Sequence, residues 1–95
     1  MSPLLRSQFL KGTTELLVLS MLEDETLHGY EIAQRMRDAA PGLAVSEGAL
    51  YPTLHRLERR GALQATRGSG KAGPRRRYYR LSDEGRAVLA AARTE

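Results

Sequence analysis

At Gly61 the spacing of apolar residues along this chain changes from about 3.6 to 2, and no other feature constrains the fold as strongly. Before it, Leu50, Leu54 and Leu57 recur at intervals of four and three, the stripe of a helix with one buried face. After it, "ALQATR" sets Leu63 and Ala65 on one face. "RRRYYRL" then sets Tyr79 and Leu81 on one face and Arg76, Tyr78 and Arg80 on the other, the alternation of a half-buried antiparallel pair. The glycine-rich "GSGKAGP" between them, bearing Lys71, is a hairpin tip. A helix therefore runs directly into a β-hairpin spanning about residues 62–81.

The helix before the switch has well-marked ends. Ser46 is its N-cap and Glu47 an acidic first-turn residue, with Val45 and Leu50 placed as a hydrophobic staple. Gly61 occupies the position where a left-handed residue closes a helix. Inside it stands Pro52, which has no N–H and in a helix interior costs about 3 kcal/mol. At 100° per residue Gly48, Pro52, His55 and Arg59 lie opposite the leucines, with Tyr51 and Arg56 on the flanks. The proline thus faces outward, and the Gly48 carbonyl it deprives of a donor lies on an exposed face. A low-profile end (Gly48, Ala49, Pro52) followed by a basic outer face suits a helix that enters a groove end-first.

Upstream, the dense apolar stretch Thr13 to Leu22 predicts a helix covered on more than one side, with Gly12 as N-cap and Glu15 in the first turn. After the acidic turn Glu23-Asp24-Glu25, "HGYEIAQRMRDAA" puts Tyr30, Ile32, Ala33, Met36 and Ala40 at helical spacing, ended by Pro41-Gly42. Beyond the hairpin, Ser82 caps a short helix over about 83–94 that carries Val88, Leu89 and Ala92. A chain of 95 residues supports one core, so residues 1–95 read as a single domain. The expected class is mostly α with a small β-hairpin (α+β), in the order helix, helix, helix, strand, strand, helix. That is the order of a winged helix-turn-helix, in which the third helix enters the major groove beside the wing.

The net charge is +4, but it is unevenly spread. Between Gly61 and Ser82 stand Arg67, Lys71, Arg75, Arg76, Arg77 and Arg80 with no acidic residue, the footprint expected of a polyanion partner. The absence of cysteine excludes disulfides, thiol catalysis and cysteine-ligated zinc. The longest apolar run, Leu16 to Leu22 broken by Ser20, is far too short to cross a membrane, so a cytoplasmic protein is expected. "GSGK" lacks the glycine at 65 and the Ser or Thr at 72 of a P-loop, having Ala65 and Ala72. His28 and His55 have no ligand-spaced partners, and no nucleophile sits beside a base. No cofactor, no metal and no enzymatic activity are expected.

The stretches "KGTTELLVLSML", "HGYEI", "SEGALYPTLHRLERRGAL" and "RRRYYRLSDEGR" together resemble the PadR-like transcriptional regulators over Lys11 to Arg86. The resemblance implies a homodimeric repressor acting on double-stranded DNA at a palindromic operator, often released by a small-molecule effector. It places DNA contact on Ser46, Gly48, Ala49, Tyr51 and Pro52, on Tyr30, and on the wing's Lys71, Arg75, Arg76 and Arg77. The outward residues His55, Arg56 and Arg59 extend that surface. Similar proteins normally continue the last helix to build the dimer and often the effector pocket. The helix expected here is only about 18 Å long. The expected dimer contact therefore falls on Leu5, Phe9 and Leu10 near the N-terminus with Val88 and Leu89, and an effector is not favoured. The alternative is a winged-helix module for protein–protein or RNA contact. The basic outward face speaks against a protein partner, and the scarcity of aromatic residues against RNA.

Overall fold

The computed structural model describes residues 3–39, 41, 47–67 and 76–94, with side chains described from Gly12 onward except that of Glu47. Ser46, Lys71 and Arg75 therefore lie outside the described residues, as do the side chains of Leu5, Phe9 and Leu10. The elements run α1 (Pro3–Met21), β1 (Leu27–His28), α2 (Gly29–Ala39), α3 (Glu47–Arg59), β2 (Leu63–Arg67), β3 (Arg77–Leu81) and α4 (Asp83–Thr94). This is the α+β winged helix-turn-helix order, with one strand more than expected.

Two boundaries differ from the sequence reading. The first helix begins at Pro3, so Gly12 is an interior residue and not an N-cap. Pro3 has its φ preset for a first helical turn, and Leu, Arg, Gln and Lys before Gly12 are strong helix formers that carry the helix through it. The extra strand, β1, is only two residues long and has no periodicity to reveal it. It pairs antiparallel with β3, Leu27 opposite Tyr79 and His28 opposite Tyr78. On its other side β3 pairs with β2, from Leu63 opposite Leu81 to Arg67 opposite Arg77. The hairpin strand β3 is thus the centre of a three-stranded sheet ordered β1-β3-β2.

One core joins the helices to this sheet. Val18, Leu19 and Leu22 of α1, Ile32 and Met36 of α2, and Leu50, Leu54 and Leu57 of α3 close over Leu27, Leu63, Tyr79 and Leu81. Leu89 of α4 is buried in the same core at 4% exposure, which corrects its expected place at a dimer contact. Leu89 points at its own chain, whereas its neighbour Val88 is 51% exposed.

The helix termini follow the capping pattern closely. Gly61 has φ +83°, and its N–H donates to the Glu58 carbonyl (3.0 Å) while that of Ala62 donates to Leu57 (2.9 Å). These two bonds close α3 with a left-handed glycine. The Ser82 hydroxyl accepts from the Gly85 N–H (3.0 Å) as the N-cap of α4, and donates to the Gly61 carbonyl. The end of α3 and the start of α4 are thereby tied together. Gly85 lies so close to the Ala62 backbone that a Cβ there would stand 2.2 Å from its carbonyl oxygen, whereas one on Gly12 would meet nothing within 4 Å. The two glycine-to-alanine changes are therefore expected to have opposite signs in urea unfolding. Gly85→Ala should lose about 2 to 3 kcal/mol through overpacking, and Gly12→Ala should gain about 0.5 to 1 kcal/mol.

Candidate nucleic-acid interface

The outward face of α3 consists of Gly48, Ala49, Tyr51, Pro52, His55 and Arg59, all exposed, while Leu50, Thr53, Leu54 and Leu57 are buried beneath. Pro52 stands on the exposed side of α3, and Gly48, whose carbonyl loses its donor four residues on, is exposed as well. Gly48 and Ala49 present almost no side-chain relief ahead of Tyr51. His55 and Arg59 follow along the same face.

Arg56 does not join them, contrary to the outward exposure expected of it. Its Nε donates to Glu15 of α1 (3.1 Å) and its Nη2 to the Thr53 hydroxyl (3.2 Å). Arg60 also reaches Glu15, at 3.5 Å. One carboxylate, itself largely covered, thus fastens the inner flank of α3 to α1. The Thr53 hydroxyl in turn donates to the Ala49 carbonyl (3.0 Å).

At the start of α2, His28 and Glu31 form a reciprocal cap. The Glu31 N–H donates to His28 Nδ1 (3.2 Å) and the His28 N–H donates to the Glu31 carboxylate (3.1 Å). This is a capping box in which an imidazole stands where Ser or Thr is usual. The next residue, Gly29, is in the path of the Tyr51 ring: a Cβ on it would stand 2.7 Å from Tyr51 Cε1. Only a glycine lets α3 lay Tyr51 on the first turn of α2. Tyr30, the following residue, is 47% exposed beside it.

The described part of the wing completes the surface. Arg77 Nη2 bonds both oxygens of Glu58 on α3 (2.6 and 2.8 Å), which fixes β3 to that helix. Arg76 Nη1 lies 2.9 Å from His28 Nε2 and 3.3 Å from Nδ1. Together His28, Gly29, Tyr30, Tyr51, His55, Arg76, Arg77 and Tyr79 line a cleft of about 350 Å³ between α2, α3 and β3. Among the described residues there is no cluster of three or more His, Cys, Asp or Glu able to hold a metal ion. Nor is any helix long and apolar enough to cross a membrane.

Of the residues singled out in the sequence, the structure brings Tyr30, Tyr51, His55, Arg76 and Arg77 to one cleft, with Gly48, Ala49, Pro52 and Arg59 on the same helix face. Four contributors escaped the sequence reading: Glu15, Glu58, His28 and Gly29. The spacing His28-x-x-Glu31 was a legible signal, being that of an N-cap and its third helical residue. The partners of Glu15 and Glu58 are distant in sequence and left none.

The fold and this face define a winged helix-turn-helix protein of the transcription-regulator class. The model of the transcriptional regulator PadR-like family matches residues 18–91. This chain belongs to that family. It is 38% identical to the transcriptional regulator Rv3488 of Mycobacterium tuberculosis over 84 residues, 86% of this chain and 74% of that one. A PadR-like transcriptional regulator from Bacillus cereus superposes with a TM-score of 0.80 at 31% identity, covering 92% of this chain and 84% of the other. A PadR family transcription regulator from Clostridium difficile gives 0.78 at 30% identity, with 85% and 83% covered. The family is one of transcription regulators, and its membership makes this a DNA-binding regulator.

Tyr79 supplies a test of how firmly the cleft floor is built. Burial holds its hydroxyl neutral above the ordinary value of 10.0, with the Arg77 charge pulling the other way. The unfolded chain ionises first as pH rises, so the contribution of Tyr79 is complete below pH 10 and is lost above it. Melting temperatures of the wild-type chain should therefore fall more steeply above that pH than those of Tyr79→Phe. Parallel curves would mean that the phenol titrates freely.

Proposed function

We propose that this chain is a repressor that binds a palindromic operator as a homodimer, α3 lying in the major groove and the hairpin on the adjoining backbone. The observation that carries the reading is the low edge Gly48–Ala49–Pro52 leading to exposed Tyr51, His55 and Arg59 beside a basic wing. In this reading the first turn, with Ser46, approaches the base pairs and His55 and Arg59 read their edges. Tyr30, Lys71, Arg75 and Arg76 hold the phosphates, while Arg77, tied to both oxygens of Glu58, fastens the wing strand to α3. Arg56, tied to Glu15 and Thr53, fastens the helix and does not read bases. Leu5, Phe9 and Leu10 on α1, with exposed Val88, supply the dimer contact in place of Leu89. Such a regulator works in the cytoplasm, where its operator is.

The test is selection of bound sites from a random duplex pool by the full chain. Two half-sites related by a two-fold, centred about 10 to 10.5 base pairs apart, are expected. An isolated half-site, or no enrichment, would reject the dimeric reading. Against the selected site, Arg59→Ala should cost about 1 to 3 kcal/mol at one base position.

Pro52 separates recognition from stability. Pro52→Ala restores a donor to the Gly48 carbonyl and removes a steric clash, so the melting temperature should hold or rise. Straightening the helix also shifts Tyr51 and the first turn while leaving the wing alone. Specific affinity is therefore expected to fall while non-specific affinity at the same salt concentration persists, and an unchanged ratio would exclude the proline from recognition.

A further inference from the structure

We propose that the cleft between α2, α3 and β3 seats one phosphodiester of DNA, with Arg76 as its cation and His28 as the residue that positions Arg76. The proposal rests on the DNA-binding reading above. A helix in the major groove and a wing beside it straddle one sugar-phosphate strand. The cleft is the space between those two elements. Tyr51 and His55 come from the helix, Arg77 from the wing strand with Arg76 just before it, and Tyr30 from the mouth of α2.

The charges favour a single phosphodiester. Arg77 is already neutralised by both oxygens of Glu58. Arg76 instead rests against the imidazole of His28, and among the described residues no carboxylate pairs with it. The acid nearest His28 is Glu31, whose carboxylate is engaged by the His28 N–H in the cap of α2. One unneutralised guanidinium, flanked by the phenol groups of Tyr30 and Tyr51 as O–H donors, matches one singly charged phosphodiester.

The role of His28 follows from its two ring nitrogens. Its Nδ1 accepts from the Glu31 amide, and the Arg76 guanidinium lies against both ring nitrogens, 2.9 Å from Nε2 and 3.3 Å from Nδ1, while Nε2 is also 3.3 Å from the Glu31 carboxylate. The ring thereby links the start of α2 to the wing. A Ser at position 28 would retain the cap and lose the rest for Arg76.

The experiment measures affinity of the full chain for its selected duplex as a function of salt, with single phosphates replaced in turn by neutral methylphosphonates. Arg76→Gln should reduce the slope of log affinity against log salt by about 0.9 per half-site, about 1.8 for the dimer, and weaken binding about fivefold per half-site at 0.15 M salt. At one phosphate per half-site, neutralising the DNA should cost the wild type that same factor and cost Arg76→Gln nothing further. His28→Ser should melt with the wild type and show part of the same coupling. Additive losses at every phosphate, or an unchanged slope in Arg76→Gln, would overturn the assignment while leaving the DNA reading intact. If the wild type binds no duplex, both fall. Inorganic phosphate presents the same oxyanion: if it binds the wild type and not Arg76→Gln, and does so without displacing DNA beyond chloride of equal ionic strength, the seat belongs to free phosphate and the DNA assignment fails.

Discussion

The burial of Tyr79 in the middle strand is the constraint on which the remaining structure depends. At 2% exposure it lies beneath α3 and opposite both Leu27 and Ala65, so it fixes the register of β3 against both neighbours at once. Because strand side chains alternate, that single inward ring turns its two neighbours, Tyr78 and Arg80, to the opposite face. Arg77 lies with its guanidinium carbon 6.0 Å from the Tyr79 ring centroid and reaches the helix above. A one-residue slip of β3 would exchange the faces and move the basic wing face to the wrong side of the sheet.

The electrostatics sort the basic residues into two groups that composition cannot distinguish. Glu15 holds Arg56 and Arg60, Glu58 holds Arg77, Glu25 holds Arg35 and Glu23 holds Arg93. The hydrogen bonds from Arg35 and Arg93 keep the carboxyls of Glu25 and Glu23 below the usual carboxylate range. The acidic turn is accordingly a pair of docking points for α2 and α4, not merely a solvated loop. Exposed pairs of this kind contribute little to stability. Their larger effect is to assign arginines to scaffold, leaving Arg59, Arg67, Arg76 and Arg80 among those with no carboxylate salt bridge within the described residues.

Much of this architecture was legible because it depends on local chemistry. The leucine stripe of α3, its closing glycine, the Ser82 cap and the alternation of β2 and β3 are patterns of neighbours, and each stands where the sequence placed it. The outward Pro52 was legible for the same reason, since a helical wheel alone fixes its face. Contacts between distant residues were not. Nothing in the vicinity of Arg56 announces that Glu15 will draw it inward, and nothing near Leu89 separates burial in its own core from burial against a second subunit. The two residues of β1 are shorter than any period, and become a strand only because β3 offers an edge.

That last strand has a consequence for how the molecule opens. Leu27 and His28 meet partners fifty or more residues away through only two facing positions, whereas β2 and β3 meet through five across a short connection. Closing the long loop restricts much of the chain and yields few contacts, so it comes late in folding and carries little local free energy. Amide protons of β1 should accordingly exchange through small openings that leave the hairpin intact. Each such opening detaches His28 from the sheet and, with it, a link that β1 provides between the first turn of α2 and the wing strand. The cleft between α2, α3 and β3 is therefore bordered by a seam of only two facing strand positions, and β1 closing against β3 draws the start of α2 and the wing strand together.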